Sequence, residues 1–383
     1  MDDINTYIFY TFFLLLCLFL SQKIVLKKNF VNKSLEIDFA RPSLYVLMLI
    51  YSLIIGLRYN VGRDYYGYTE WFKELRHTGR FPVDNDFGFI WLNEFLVHFD
   101  FESYALFIVL AFLQILFLLL FLKRIPFLRA WYFYFFFTSL LFFISMNAMR
   151  QTLAFLIFAY CLQLFYDKKY YHTLFIAILA FSIHKTVIVP FILLPFLRVE
   201  WFKSVKSQLV LLFLSVFVLP AFFTILLDFA TPFINLLGYN YYIENLDYMK
   251  EITDENKRGE GLAIFLFFFV DLFIILFYEK LKTAFQELYF VKFYNLYFIG
   301  LMLSRIFAEN FILSRIADYF ISFRIIILSF LMFYIFNSSK IQKNKIIKAI
   351  AILTCFVMLL FYYKAIYNNA GDIAPFQFIF NHD

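Results

Sequence analysis

Residues 103–122 read SYALFIVLAFLQILFLLLFL, twenty consecutive positions without a charge or a proline. As an α-helix this stretch rises about 30 Å, the thickness of the hydrocarbon core of a bilayer. Two further runs, Leu209–Leu219 and Gly261–Phe277, are also predominantly apolar. A transmembrane β-barrel would show short alternating strands instead, and a lone span must satisfy its backbone polar groups internally, so these runs are helices. Similar segments recur at about 4–22, 42–57, 130–146, 151–166, 170–183, 186–197, 208–227, 261–278, 288–304, 319–336 and 346–363. The fold class that follows is all-α: a polytopic transmembrane helix bundle of about 11–12 apolar segments, one pair broken or re-entrant, forming a single integral membrane domain over residues 1–383. Two connections are long, 58–102 and 228–260.

Composition supports the same class. The chain is 63% hydrophobic and 16% charged, whereas an ordinary soluble domain carries about a quarter charged residues. Phenylalanine occurs 60 times, mostly inside the apolar runs, where its expected place is the lipid-facing surface. The net charge of +6 resides in short loops between spans, so it reports topology and not nucleic-acid affinity. Cys17, Cys161 and Cys355 each sit within an apolar run and have no redox or metal-ligand spacing. The first segment follows Asp2 and Asp3 and lacks the basic start of a cleavable signal, so it reads as a retained span.

One stretch, 170–197, is either a single long crossing or two short limbs that break at Ser182-Ile183-His184-Lys185. Basic residues gather on the cytoplasmic side of a membrane protein, and that bias decides the matter. With two limbs, one set of loops holds about 20 Lys and Arg and the other about 13; with one crossing the split is about 16 against 16. The broken version is therefore expected, with an outside N-terminus. Its limbs of 14 and 12 residues reach only about 21 and 18 Å, so His184 is expected at a bend below the outer surface, in a water-filled cavity.

This topology puts Arg58, Arg63, Asp64, Arg150, His184, Arg305, Arg315 and Asp318 on the face opposite the lysine-rich loops 23–33 and 340–348. Each arginine alone can be read as a snorkelling side chain with a local ion pair. Several on the face that the insertion bias disfavours point instead to a cavity or an anionic ligand. A guanidinium is a planar fork suited to phosphate, and a diphosphate on a membrane lipid sits at the level of the span ends. Negative charge that develops on a departing diphosphate is stabilised by such fixed donors without a metal, and this face shows no acidic pair at metal-ligand spacing. No cofactor or metal is expected. Beyond Arg58, Gly62 can relieve a tight turn, and Asp64 can cap a helix in which Tyr65, Tyr68 and Phe72 recur at helical spacing. That amphipathic, aromatic helix is either an interfacial belt or a platform for sugar rings. His184 is either a satisfied buried histidine or a general base on an acceptor hydroxyl, kept neutral by nearby guanidinium groups; Asp64 competes for the base role.

Five motifs in order carry a resemblance. They are Gly56-Leu57-Arg58-x3-Gly62-x-Asp64-x3-Tyr68, Asp86-Phe-Gly-Phe-x-Trp-Leu-Asn93, Arg150-Gln151, Ser182-Ile-His184-Lys185, and Asn310-Phe-Ile-Leu-Ser-Arg315-Ile-Ala-Asp318-Tyr319-Phe320. Together, over about 50–335, the chain resembles the EpsG branch of the Wzy-type exopolysaccharide or O-antigen polymerases. Glutamate is more usual in that family at Asp86, and serine at Lys185. The resemblance implies a multi-span fold similar to the GT-C-like lipid-linked glycosyltransferases. It also implies a bacterial cytoplasmic membrane location and an active site facing the exterior. The implied reaction moves a growing glycan from undecaprenyl diphosphate onto the next lipid-linked oligosaccharide repeat. Catalysis would fall to His184 or Asp64, and substrate binding to Arg58, Arg63, Tyr68, Arg150, Arg305, Arg315, Asp318 and Tyr319. The implied partners are the lipid-linked repeat, the bilayer, and the flippase and chain-length regulator of the same pathway. The rivals are an O-antigen ligase, a repeat flippase or transporter, and, more distantly, a membrane acyltransferase using His184. A transporter would show two related halves or paired broken helices, and only one break is visible here.

Overall fold

A computed structural model describes residues 4–28, 35–82, 86–222, 225, 228, 231, 232, 260–308, 311–338 and 344–381. The expected long connection 228–260 lies almost wholly outside these described residues, as do residues 340–343 of the lysine-rich segment and Asn310. The fold is an all-α polytopic bundle, and the chain forms two compact units, residues 1–187 with 355–383, and residues 188–354.

The first unit contains α1 (Ile4–Lys23), a small hairpin of β1 (Leu26–Lys28) and β2 (Leu35–Ile37), α2 (Pro42–Gly56), α3 (Tyr65–Thr78), α4 (Phe87–His98) and α5 (Ser103–Leu122). It continues through α6 (Arg129–Thr138), α7 (Leu141–Asn147), α8 (Met149–Tyr166) and α9 (Tyr170–Ile183). The second holds α10 (Ile188–Leu193), α11 (Val205–Phe217), α12 (Glu260–Phe285), α13 (Phe290–Ile306), α14 (Phe311–Ile321) and α15 (Arg324–Asn337). The last helix, α16 (Lys345–Tyr367), begins in the second unit's residues and ends in the first's.

Among the described residues, four helical stretches are long and apolar enough to cross a membrane: Ile4–Lys23, Ser103–Leu122, Leu313–Asn337 and Lys345–Tyr367. The pair Pro126–Thr138 and Leu141–Asn147, bent by 63°, makes a fifth. Shorter apolar helices are Pro42–Gly56, Tyr170–Ile183 and Val205–Phe217. The protein is an integral membrane protein.

The expected break in 170–197 is present. α9 stops at Ile183, His184 takes an extended conformation (φ −158°, ψ 105°), and a 3-10 turn over Lys185–Val187 leads into α10. A second break was not expected. The apolar run 130–146 divides at Leu140, which has a left-handed φ of 69°. Phenylalanine also serves differently from the lipid-facing role expected of it. Phe133, Phe135, Phe136, Phe137, Phe142 and Phe143 are buried, and Phe137 stacks on Phe142 with centroids 4.3 Å apart. Flat rings fill the space around the broken helix, where an interior must stay close-packed.

The first unit has two distinct ends. At one, Arg129 Nε donates to Ser21 O at the end of α1, Ile37 N donates to Lys123 O after α5, and Arg124 pairs with Asp167 after α8. The lysines of 23–28, 123 and 168–169 gather there. At the other end lie the starts of α5 and α8, the ends of α2, α7 and α9, and the helices α3 and α4. This is the end that carries the candidate site.

Candidate functional site

Asp86 organises the site of the first unit. It precedes α4 and is 4% exposed. Its Oδ2 accepts from Arg150 Nη1 at 3.0 Å and faces His184 Nδ1 at 3.1 Å, while Oδ1 accepts from the Lys185 backbone N–H at 3.0 Å. Burial opposes the charge on this carboxyl. The His184 hydrogen bond, the Arg150 charge and the Lys185 N–H outweigh that cost and hold the group below its ordinary value.

Each partner is delivered by an interruption in a helix. Arg150 sits at the second position of α8, just past the α7–α8 junction, and His184 occupies the α9 break. α4 reaches the break closely because residue 88 is glycine: a Cβ there would lie 2.3 Å from Ser182 Oγ. The Arg150 guanidinium is ringed by Phe89, Tyr68 and Trp71, with centroids at 4.7, 5.8 and 5.9 Å. The electron-rich faces of such rings attract a cation.

Arg58 is held differently from the other arginines. It is completely buried, with Nε donating to Val61 O, Nη1 to Ile55 O, and Nη2 to Met146 O and Met149 Sδ. Its guanidinium lies 4.6 Å from the Phe107 ring. Its donors therefore tie the end of α2, the following turn and the end of α7 together. Gln114 acts alongside it, donating through Nε2 to Ser145 O and Met149 O. The carbonyls of Ser145 and Met146, in the last turn of α7, need such partners because the helix ends there.

The remaining expected residues divide between the units. Arg63 is exposed, with Nε 3.7 Å from Asp372 Oδ2. Asp64 stands at the start of α3, but its side chain makes no capping hydrogen bond and its φ/ψ of −85°/−1° is already helical, which corrects the expected cap. Tyr65, Tyr68 and Phe72 face inward, and Tyr65 stacks on Phe107 at 4.8 Å. The solvent side of α3 carries Tyr66, Glu70, Lys73 and Glu74. His184, expected among guanidinium groups, has a carboxylate as its direct contact.

In the second unit, Arg305 ends α13 and Arg315, Asp318 and Tyr319 lie on α14, with Tyr319 buried. A buried pair that the sequence reading did not assign stands in the same unit. Asp271 of α12 is fully buried, accepts from Arg324 Nε and Nη2 at 2.9 and 3.0 Å, and also accepts from Tyr297 Oη at 2.8 Å. Arg324 is a charge inside the apolar segment 319–336, and that was the available signal. Asp86, too, was visible only as one acid in an aromatic motif. Among the described residues, no group of three His, Cys, Asp or Glu side chains is placed to hold a metal ion.

The family model described as the EpsG family matches residues 43–378. No curated protein and no solved structure matches the chain.

Proposed function

Because the chain belongs to the EpsG family, whose membership gives it a polysaccharide-polymerase role in general terms, we propose that it joins lipid-linked glycan repeats at the outer face of the bacterial cytoplasmic membrane. The donor is a glycan on undecaprenyl diphosphate and the acceptor is a sugar hydroxyl of the next lipid-linked oligosaccharide. The new bond forms between that hydroxyl oxygen and the anomeric carbon of the donor. The bond from that carbon to the diphosphate breaks, and the diphosphate leaves with the electron pair.

The observation that carries this reading is the shared oxygen of Asp86. With Asp86 charged, His184 donates from Nδ1 and its Nε2 is the basic nitrogen, which takes the proton of the acceptor hydroxyl. Arg150, oriented by the same carboxylate and its aromatic ring, offers positive charge to the departing diphosphate. Arg58 contributes by holding the α7–α8 junction that presents Arg150. Arg63 and Tyr68 belong to this substrate-binding end, and Arg305, Arg315, Asp318 and Tyr319 are assigned to substrate binding in the second unit from their motifs. Asp64 remains the rival base. The outward orientation is supported by the loop charges and by the collection of lysines at the end of the first unit away from Asp86. The flippase and chain-length regulator of the pathway are the expected partners.

The test is a reconstituted assay with purified protein and undecaprenyl-diphosphate repeats, read as a glycan ladder. Wild type should extend the chains. His184→Ala, His184→Gln and Arg150→Ala should not, at matched protein levels, whereas Asp64→Asn should retain activity. An active His184→Gln variant together with a dead Asp64→Asn variant would move the base to Asp64.

A further inference from the structure

The C-terminal segment after α16 does not trail away from the site end of the first unit. Tyr59 N donates to Gln377 O at 2.9 Å, and Ile379 N to Leu57 O at 3.0 Å, so a short antiparallel bridge pairs Arg58 with Phe378. Gly62 N donates to Asp372 O at 2.7 Å, and Arg63 N to Gly371 O at 3.0 Å. The segment is anchored from the other side by α1. Tyr10 Oη donates to Ile373 O at 2.7 Å, Thr6 Oγ1 accepts from Phe376 N at 3.1 Å, and Phe9 stacks on Phe376 at 3.9 Å.

At the centre of this contact is Asn147, the last residue of α7 and three positions before Arg150. Its Nδ2 donates to Gly371 O at 3.1 Å, while its Oδ1 is buried with no hydrogen-bond partner among the described residues. Its amide is wedged between two glycines with left-handed φ, Gly62 at 103° and Gly371 at 78°. A Cβ on Gly62 would lie 2.7 Å from Asn147 Oδ1, and one on Gly371 would lie 2.4 Å from Nδ2. Both positions therefore require glycine twice over, for the backbone angle and for the approach of the amide.

We propose that residues 369–379 form a strap that sets the position of Arg150, acting through Asn147 gripped between Gly62 and Gly371. These three are positioning residues. The strap lies outside every membrane span, yet it fixes the junction from which α8 starts. The inference rests on the polymerase reading for its functional consequence, although not for the interlock itself.

Full-length variants test it in the reconstituted assay. Gly371→Ala and Asn147→Ala should each lower kcat by about 10- to 100-fold, the cost of a catalytic group misplaced by around 1 Å, with KM for the lipid-linked repeat nearly unchanged. Asn147→Ala adds neither bulk nor strain, so it stays informative where Gly371→Ala folds poorly. In the double variant the new methyl no longer meets an amide, so its kcat should be no lower than that of Gly371→Ala alone. Single variants within about twofold of wild type, or a double variant whose loss is the product of the two, would overturn the strap. A fall in thermal midpoint without the kcat loss would make the contact merely structural and would also overturn it. If wild type builds no polymer, the polymerase reading fails. The same double-mutant cycle on thermal midpoint, which needs no substrate, then decides the interlock: non-additive shifts support it and additive shifts refute it.

Discussion

Asp86 Oδ2 faces both Arg150 and His184, and Oδ1 takes the Lys185 N–H, so one carboxylate sets the proposed base and the proposed diphosphate-binding guanidinium in register. Asp86→Asn keeps the shape but replaces one acceptor oxygen with a donor, leaving His184 in the wrong tautomer or orientation. A loss of about 100-fold or more in polymer formation is expected, with little change in the amount of protein inserted. The pH dependence follows from the direction of the shift. Because the folded Asp86 carboxyl is held below its ordinary value, its pairing is complete above about pH 4 and is lost only as pH falls through that depressed value. The thermal midpoint of purified protein should therefore be insensitive to Asp86 between pH 5 and 8, and any acid limb of activity in that range belongs to another group. Arg58 calls for a different outcome from Arg150. Arg58→Lys and Arg58→Ala both strand the carbonyls of Ile55, Val61 and Met146, at about 1–3 kcal/mol for each orphaned group, so both should lose activity and thermal stability together. Arg150→Ala should lose activity with a smaller fall in midpoint, because His184 and the Lys185 N–H still hold Asp86. From sequence, Arg58, Arg150 and His184 stood out through their place at span ends and in motifs. What sequence does not encode locally is whether a guanidinium points to solvent or, as in Arg58, to a carbonyl 88 residues along the chain.

Two helix breaks place the site, and they differ in how legible they were. The break at His184 puts polar residues into an apolar run, and it changes the sidedness of every later loop, so charge counting found it. The break at Leu140 has no proline, glycine or charge beside it, so nothing local in the sequence announces it; the α7–α8 junction that follows is held by Gln114 on α5 and Arg58 after α2, which donate to the carbonyls of Ser145, Met149 and Met146. The C-terminal strap was equally silent, since its residues have no apolar period and its partners are backbone groups. The buried pair on α12 and α15 yields a prediction of its own. Arg324→Leu leaves Asp271 charged and unpaired in an apolar interior, which should cost about 3–5 kcal/mol, whereas replacing both residues with leucine should recover most of that loss. Thermal unfolding of purified variants in detergent measures it, and equal losses in the single and double variants would show that the pair does not act as a unit.

The first unit has the sidedness that the proposed reaction at one membrane face needs. In the first unit the lysine-bearing connections meet at one end and Asp86, Arg150 and His184 meet at the other. Tyr66 on α3 and Tyr171 at the start of α9 are both exposed, at opposite ends of that unit. A cysteine at 66 should react with an impermeant maleimide on intact cells, and one at 171 only after permeabilisation; the reverse pattern would place the site in the cytoplasm and exclude an outer-face reaction. This global arrangement was readable because hydrocarbon thickness and loop charge are properties of whole segments. The most direct test of the polymerase assignment is the length of the glycan carried on undecaprenyl diphosphate in cells lacking this protein. The account predicts that single repeats accumulate at the outer face and that long chains disappear. Full-length polymer left on its carrier would make the protein a ligase, repeats retained at the cytoplasmic face would make it a flippase, and either result would contradict the account.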